Sequence, residues 1–404
     1  MYVVAYSAQS WQSDPQERTM PTNYPAFLIG GPPHSGKSIF SYRLSQLLRR
    51  QQVPHYLLRA APDGEGDWTR ESEAALARAL RDKRPYEARF AERVARVLAS
   101  RPQPFLVDVG GKITPEQETI ARHCTHAILV SNNEQDLQAW HAFARRMGLQ
   151  VVGLFHSRLD ASDARCGSGT PFEAVINLRE KVPVAAETVL AEFARQVADI
   201  IGLSADAMRE IHFEILPDKA ARILDVERIS PRWDPAMLPR LLAEAVLPAR
   251  DHQALALYGR APNWVYAAVA AAAPTLAWQF DATLGWLPVQ AFAMTEDESP
   301  HAPIEYSLTI ESSGWQWLRT RPKPPFIAQH EIPHITLPTV PPMFSLVLEG
   351  KMPHWFYVGA ARTYAAHLSR VAVFQAQGSG LVVEIFGNEV GRVHNLRHPF
   401  TRQA

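Results

Sequence analysis

The segment Gly31-Pro32-Pro33-His34-Ser35-Gly36-Lys37-Ser38 limits what this chain can become more than any other. It follows a short apolar run, 25–29 (PAFLI), and opens a stretch, 39–50 (IFSYRLSQLLRR), with apolar side chains at helical spacing. A strand, a G-x-x-x-x-G-K-S turn and a helix in that order make a phosphate-binding loop. The spacing is required because successive backbone N–H groups must curl around a phosphate, and glycine permits backbone geometry that a β-carbon would hinder. Lys37 is expected to reach the β- and γ-phosphates and Ser38 to ligand Mg²⁺ or Mn²⁺, while the helix start adds partial positive charge. Gly31, His34, Ser35, Gly36, Lys37 and Ser38 are therefore the candidate ATP contacts.

Further strand candidates follow at 53–60, 104–109, 126–131 and 150–155, with helical patterns at 71–99, 115–123 and 134–147 between them. This alternation predicts an α/β P-loop NTPase unit over 25–205, a parallel sheet with helices on both faces, preceded by an extension, 1–24. The run Phe105-Leu106-Val107-Asp108-Val109-Gly110-Gly111 reads as a buried strand ending in an acid, so Asp108 is expected beside Ser38 in the metal shell. The turn Pro62-Asp63-Gly64-Glu65-Gly66-Asp67-Trp68 ends the second strand, where loops face the phosphates; Asp63, with Glu65 second, would orient an attacking group, or the turn is ordinary acidic turn chemistry. Arginines crowd the stretch from Arg78 to Arg101, and read either as a phosphate-clamping lid or as a solvated helix laced with ion pairs. No Asn-Lys-x-Asp guanine signature is present, which makes ATP the default nucleotide.

Composition narrows the function. Lys plus Arg and Asp plus Glu are both 41, so no excess charge favours generic DNA binding. Two cysteines, Cys124 and Cys166, build neither a disulfide framework nor a four-Cys zinc site. The first twenty residues lack the pattern of a secretory signal, and the most apolar run, 264–280, is interrupted by Pro274, so the expected setting is cytoplasmic with no membrane partner.

The second half repeats itself. Gly259-Arg260-Ala261-Pro262-Asn263-Trp264-Val265-Tyr266 matches Gly350-Lys351-Met352-Pro353-His354-Trp355-Phe356-Tyr357 at an offset of 91 residues. In each copy an apolar strand precedes the motif, an Ala-rich helix follows, and a strand pair comes next. The expected units are two α+β ferredoxin-like repeats, 208–294 and 304–392, joined by the acidic 295–303 and closed by a tail, 393–404. A Gly at a strand end admits a close ligand, a Pro suits a helix start, and the helix N-terminus attracts phosphate. Arg260 and Lys351 would add charge; Trp264 and Trp355 either stack on a base or fill the core.

The paired motif, carried by Gly259, Pro262, Trp264 and Tyr266 and by Gly350, Pro353, Trp355 and Tyr357, resembles a small ferredoxin-like CRISPR-associated ring nuclease family of type III systems. Members of that family bind and cleave cyclic tetra-adenylate, and some are fused to a P-loop ATPase or kinase-like unit. The resemblance implies a cyclic oligoadenylate site at Gly259, Arg260, Pro262, Asn263, Trp264, Gly350, Lys351, Pro353, His354 and Trp355. It also implies a catalytic Asp in the strand after the helix, which is Asp281 in the first copy and Gln375 in the second. The family's helix histidine is missing near Ala271 and Arg362, though His367 lies further along; His354, His394 and His398 are the remaining catalytic or metal candidates. The copies are expected to form one pseudo-symmetric pocket for the ring or its linear products, in a chain able to form homo-oligomers. Two other classes stay open: a nucleotide or small-molecule kinase whose acceptor site is C-terminal, with Asp63 as base, and a non-catalytic nucleotide-gated sensor.

Overall fold

The computed structural model describes residues 24–61, 88–179, 189–246, 253–296, 302–310, 314–324, 326–376, 380–396 and 398–399. Five fully buried residues form β1 (Ala26–Gly30), and α1 (Lys37–Arg50) follows the phosphate-loop segment. Then come β2 (Tyr56–Ala60), α2 (Ala88–Ala99), β3 (Phe105–Val109), α3 (Pro115–Ala121), β4 (His126–Ser131), α4 (Glu134–Arg146) and β5 (Gln150–Ser157). The sheet does not stop there, because β6 (Ala164–Arg165) and β7 (Phe172–Ile176) extend it to seven strands, ordered β2-β3-β1-β4-β5-β7-β6. All but β6 run parallel.

Alternation along β1 feeds two cores. Phe27 and Ile29 point to the face covered by α1 and α5 (Val189–Ile201), beside Phe40, Leu44, Phe193 and Val197. Ala26 and Leu28 point to the opposite face, beneath Val94 and Leu98 of α2, Ile120 of α3, and Trp140 and Phe143 of α4. Both faces of the sheet are therefore covered, as a parallel sheet requires. Asp63 and Glu65 lie outside the described residues, as does 78–87 of the arginine-rich stretch.

Helix α6 (Ala205–Glu214), capped by the Ser204 hydroxyl on Ala207 N (3.1 Å), leads into the repeats. The first copy holds β8 (Arg222–Asp225), β9 (Leu255–Tyr258), α7 (Asn263–Ala272), β10 (Leu276–Asp281) and β11 (Gly285–Pro288) in a sheet ordered β11-β10-β9-β8. A short strand β12 (Ala293–Thr295) comes next. The second copy holds β13 (Ile304–Ile310), β14 (Trp315–Pro322), β15 (Thr336–Pro338), β16 (Ser345–Gly350), α8 (His354–Ala365), β17 (Val371–Gln375), β18 (Leu381–Phe386) and β19 (Val393–His394). Its main sheet runs β13-β14-β16-β17-β18-β19. Both copies are α+β, but they are unequal, since β13 and β19 have no counterpart in the first sheet.

The two copies share one core. Trp264, Val265 and Ala268 of α7 meet Trp355, Phe356 and Tyr364 of α8 together with Leu257 of the first sheet and Leu348, Val373 and Ile385 of the second. Helix α7 also lies against β17 and β18, strands of the other copy. Two sequence expectations change here. Thr295, placed in a linker, belongs to β12, which pairs in parallel with β15 across the copies; Val393 and His394, placed in a tail, pair with β18. Their side-chain patterns are too short to read as strands, and only the neighbouring strands select them.

Candidate functional sites

The phosphate loop lies at the carboxyl end of β1, where the sequence put it. Gly31 has φ 151° and Gly36 φ 87°; a β-carbon on Gly31 would sit 1.9 Å from Val130 O, and one on Gly36 2.7 Å from Leu178 Cδ1. Only glycine therefore fits at either position. His34 stands at the exposed tip with φ 60°. No side chain caps α1, which leaves its N-terminal amides directed at the loop. Lys37 is buried and its ammonium donates to Pro32 O at 2.6 Å, so the cation is already held over the curl. Ser35 Oγ is buried without a hydrogen-bond partner among the described residues. A cradle closed to any β-carbon, a buried orphan hydroxyl and a positioned ammonium together suit a nucleotide phosphate.

Asp108 lies at the end of β3, beside Ile29 of β1 in register, and is 2 % exposed. Sequence reasoning missed its partner: Arg59 of β2, which faces Asp108 in register, donates to its carboxylate. A buried acid is stable as an ion when a guanidinium neutralises it, and the signal was an Arg in an otherwise apolar strand. The loop after Asp108 packs on the phosphate loop, since a β-carbon on Gly111 would sit 2.5 Å from Pro33 N, and Gln117 Nε2 donates to Gly110 O at 2.7 Å.

Of the described arginines of α2 and the turn after it, Arg89 and Arg96 are exposed, whereas Arg93 and Arg101 make fold contacts. Arg93 forms a bidentate pair with Glu331 of the second copy (2.7 and 2.9 Å) and donates to Phe326 O. Arg101 is buried and donates to Tyr24 O, Leu98 O and His123 O. These two are neither lid nor solvated face.

The second site lies where α7 and α8 begin. Asn263 and His354 are equivalent positions of the repeat, and His354 Nδ1 is 2.6 Å from Asn263 Oδ1. A residue bonded to its own counterpart marks a pseudo-two-fold axis between the copies. The symmetry extends outward: Tyr266 donates to Gly259 O, and Tyr357 donates to Gly350 O at 2.6 Å. The His354 ring stacks on Tyr266 (4.4 Å, 9°), and Asn263 hydrogen-bonds Tyr357. Both helix N-termini thus meet at one point, with exposed Arg260 and Lys351 on the approaching loops and Pro262 and Pro353 as N-caps.

Not every residue of the proposed ring site is available. Trp264 and Trp355, 2 % and 4 % exposed, are locked in the shared core and present no face for a base, so the packing role replaces the stacking one. Asp281 ends β10 beside the β9 end that carries Gly259; its Oδ1 accepts from Thr283 N (2.8 Å), Thr283 Oγ1 (2.6 Å) and Leu284 N (3.0 Å), fixing the turn. Gln375 Oε1 is buried and without a hydrogen-bond partner among the described residues. Arg362, where the resembled family has a helix His, donates to Ala273 O (3.0 Å) and Leu276 O (2.8 Å), closing the carboxyl end of α7. His367 is exposed at the end of α8, whereas His394 pairs with buried Glu384 (2.7 Å) and His398 with buried Glu349 (3.0 Å), on the outer face of the second sheet. No group of three or more His, Cys, Asp or Glu suited to a metal ion occurs among the described residues.

Enclosure lowers the pKa of His354; the Asp281 carboxylate works against this and the Arg260 guanidinium with it. The imidazole is neutral near pH 7.

Residues 321–392 match the family model described as CRISPR-associated protein (Cas_csx3). The matched stretch lies within the second copy, from β14 to the turn before β19. Among solved structures, the septum site-determining protein MinD of Pyrococcus horikoshii OT3, complexed with Mg-ADP, is 14% identical over 48% of this chain and 96% of its own, with a TM-score of 0.28. A plasmid partition protein of Borrelia burgdorferi B31, bound to AMPPNP, is 12% identical over 48% of this chain and 100% of its own, with a TM-score of 0.26. No curated protein sequence matches. Among the described residues, no helix is long and apolar enough to cross a membrane.

Proposed function

We propose that this chain binds ATP with Mg²⁺ at its phosphate loop and binds a cyclic oligoadenylate second messenger, cyclic tetra-adenylate or its linear products, in the cleft between α7 and α8, within type III CRISPR defence. The observation that carries the second part is the bond between Asn263 and His354, because it makes the tandem repeat an internal dimer with one shared cleft. Two positive helix ends and two exposed basic residues at a two-fold axis suit a ring of phosphodiesters that itself has rotational symmetry. In this reading 25–205 is the nucleotide-binding unit and 208–294 with 304–392 form the ring-binding unit.

At the phosphate loop, Gly31, His34, Ser35, Gly36 and Lys37 would hold the triphosphate, and Ser38 and Asp108 the metal. The bound nucleotide would supply an energy-rich phosphoanhydride. This chain's residues contribute a preformed cradle, a buried ammonium and a buried acid paired with Arg59.

The kinase alternative fits less well. The described contacts of the C-terminal half include Arg93 of α2 with Glu331 and the loop before β3, where Gln103 Nε2 donates to Ala282 O (3.1 Å) and His212 Nε2 meets Pro102 O (2.9 Å). The phosphate loop is at the other end of that strand, about 17 Å away for five residues at ~3.3 Å each. An acceptor held by α7 and α8 would be a strand length from the transferable phosphate.

The test is incubation of the full chain with labelled cyclic tetra-adenylate, with and without ATP and Mg²⁺ or Mn²⁺, resolving bound, linear and phosphorylated species. Binding or cleavage supports the reading; no interaction under any condition removes it. Binding without cleavage selects the sensor form.

A further inference from the structure

The pseudo-two-fold axis relates two corners of the cleft, and they are chemically unequal. Around His354 stand Tyr266, Asp281 and Arg260; beside Asn263 stands Tyr357, with Lys351 and Gln375 the repeat counterparts of Arg260 and Asp281. In the first, a titratable ring stands at the helix start; in the second, the counterpart is an amide that cannot take a proton near neutral pH.

The surroundings of His354 suit a base. Its Nδ1 lies 2.6 Å from Asn263 Oδ1, an acceptor, so the Nδ1 proton is fixed there and the lone pair resides on Nε2. The ring is held flat against Tyr266, whose hydroxyl is committed to Gly259 O, so its plane is set by stacking and its tautomer by Asn263. The edge that carries Nε2 has no hydrogen-bond partner among the described residues, and the residue is exposed. Asn263 at the equivalent position is consumed twice over, by His354 and by Tyr357.

We propose that His354 is the single general base of this cleft, and that the chain opens a cyclic oligoadenylate at one phosphodiester rather than at two. The inference rests on the ring-binding reading above. His354 Nε2 takes the proton of a ribose 2′-hydroxyl, the 2′-oxygen forms a bond to the adjacent phosphorus, and the bond from phosphorus to the 5′-oxygen breaks. The leaving 5′-oxygen takes a proton from water, and the imidazolium returns its own proton to the hydroxide so formed. The product is a linear oligoadenylate with a 2′,3′-cyclic phosphate at one end and a 5′-hydroxyl at the other. Arg260, on the same corner, faces the charge that develops on the phosphate, and Asp281 favours the imidazolium that forms. Asn263 acts as a positioning residue through its hold on Nδ1. The duplication is what permits this: a symmetric pair would carry two bases or none, whereas tandem copies in one chain are free to differ.

The test uses the full chain and cyclic tetra-adenylate labelled with ³²P, with ring loss and products followed in time and binding measured separately by filter retention. The expected result is linear tetra-adenylate accumulating before any di-adenylate. His354→Gln is expected to slow ring opening at saturating ring at least about 100-fold. His354→Ala is expected to regain part of its activity in added imidazole, which a structural role would not allow. Di-adenylate formed at the rate of ring loss from the first time point would overturn the single cut. Binding of the ring with no opening by the parent protein, or full-speed opening by His354→Gln, would overturn the base while leaving ring binding intact. Absence of binding would remove both readings.

Discussion

At the residue scale, the phosphate loop shows how backbone geometry and a single charge divide the work of holding an anion. Gly31 and Gly36 keep a space that any side chain would fill, and Lys37 supplies the charge. Lys37→Ala is expected to weaken ATP by about 1.5–3 kcal/mol, roughly ten- to 150-fold, as read by calorimetry, because a charge-assisted contact is lost. An unchanged affinity would remove the nucleotide assignment. Gly31→Ala acts differently: its β-carbon would collide with Val130 O, so stability falls with affinity, by at least about 2 kcal/mol in denaturant unfolding. In the second cleft, Arg260→Ala and Lys351→Ala are each expected to weaken cyclic tetra-adenylate by about 1.5–3 kcal/mol, with the loss shrinking as salt rises.

At the scale of elements, His212 on α6 joins three of them. Its Nε2 donates to Pro102 O before β3, its Nδ1 accepts from the Tyr258 hydroxyl at the end of β9, and its ring packs on Phe280 of β10. Trp286 of β11 donates to its carbonyl. The ring is buried and both nitrogens are committed in the neutral form, so burial lowers its pKa to about 4. A histidine lowered in the folded state contributes stability above its unfolded pKa of about 6.5, and that contribution is lost as pH falls toward about 4. We expect urea midpoints to drop over this window by the equivalent of about 3 kcal/mol, and His212→Gln to abolish that share of the slope. A midpoint flat from pH 7 to pH 4 in both proteins would contradict the assignment.

At the scale of the whole molecule, the two units meet through polar contacts that a chain of separate modules would lack. Arg93 and Glu331 form a partly buried bidentate pair, and the guanidinium holds the Glu331 carboxyl below the usual carboxylate range. A double-mutant cycle of Arg93→Ala and Glu331→Ala is expected to give a coupling of about 1–2 kcal/mol in unfolding free energy. A coupling near zero would mean the units are docked by other groups. Strands β2 and β3 run through this arrangement, with Arg59 and Asp108 at one end and His55 and Gln103 toward the repeats at the other. His55 lies close enough to Arg260 for that charge to act with burial in lowering its pKa.

What the sequence determined by itself is local in origin. The phosphate loop, its flanking strand and helix, and the acid of β3 rest on residues within a few positions of one another, and period and glycine placement encode such features directly. The repeat was legible for the same reason, as a motif copied at a fixed offset. What only the tertiary structure decided depends on partners far apart in the chain. Arg59 meets Asp108 across a strand register, and Trp264 and Trp355 become core because each copy covers the other. Thr295 and Val393 join strands because a free edge lies beside them. Asn263 and His354 look unrelated in the sequence, one an amide and one an imidazole, and only the folding of two copies onto a common axis brings them into a single hydrogen bond. Local chemistry is fixed by neighbours in the chain, whereas the pairing of distant side chains is fixed by the burial that drives the copies together.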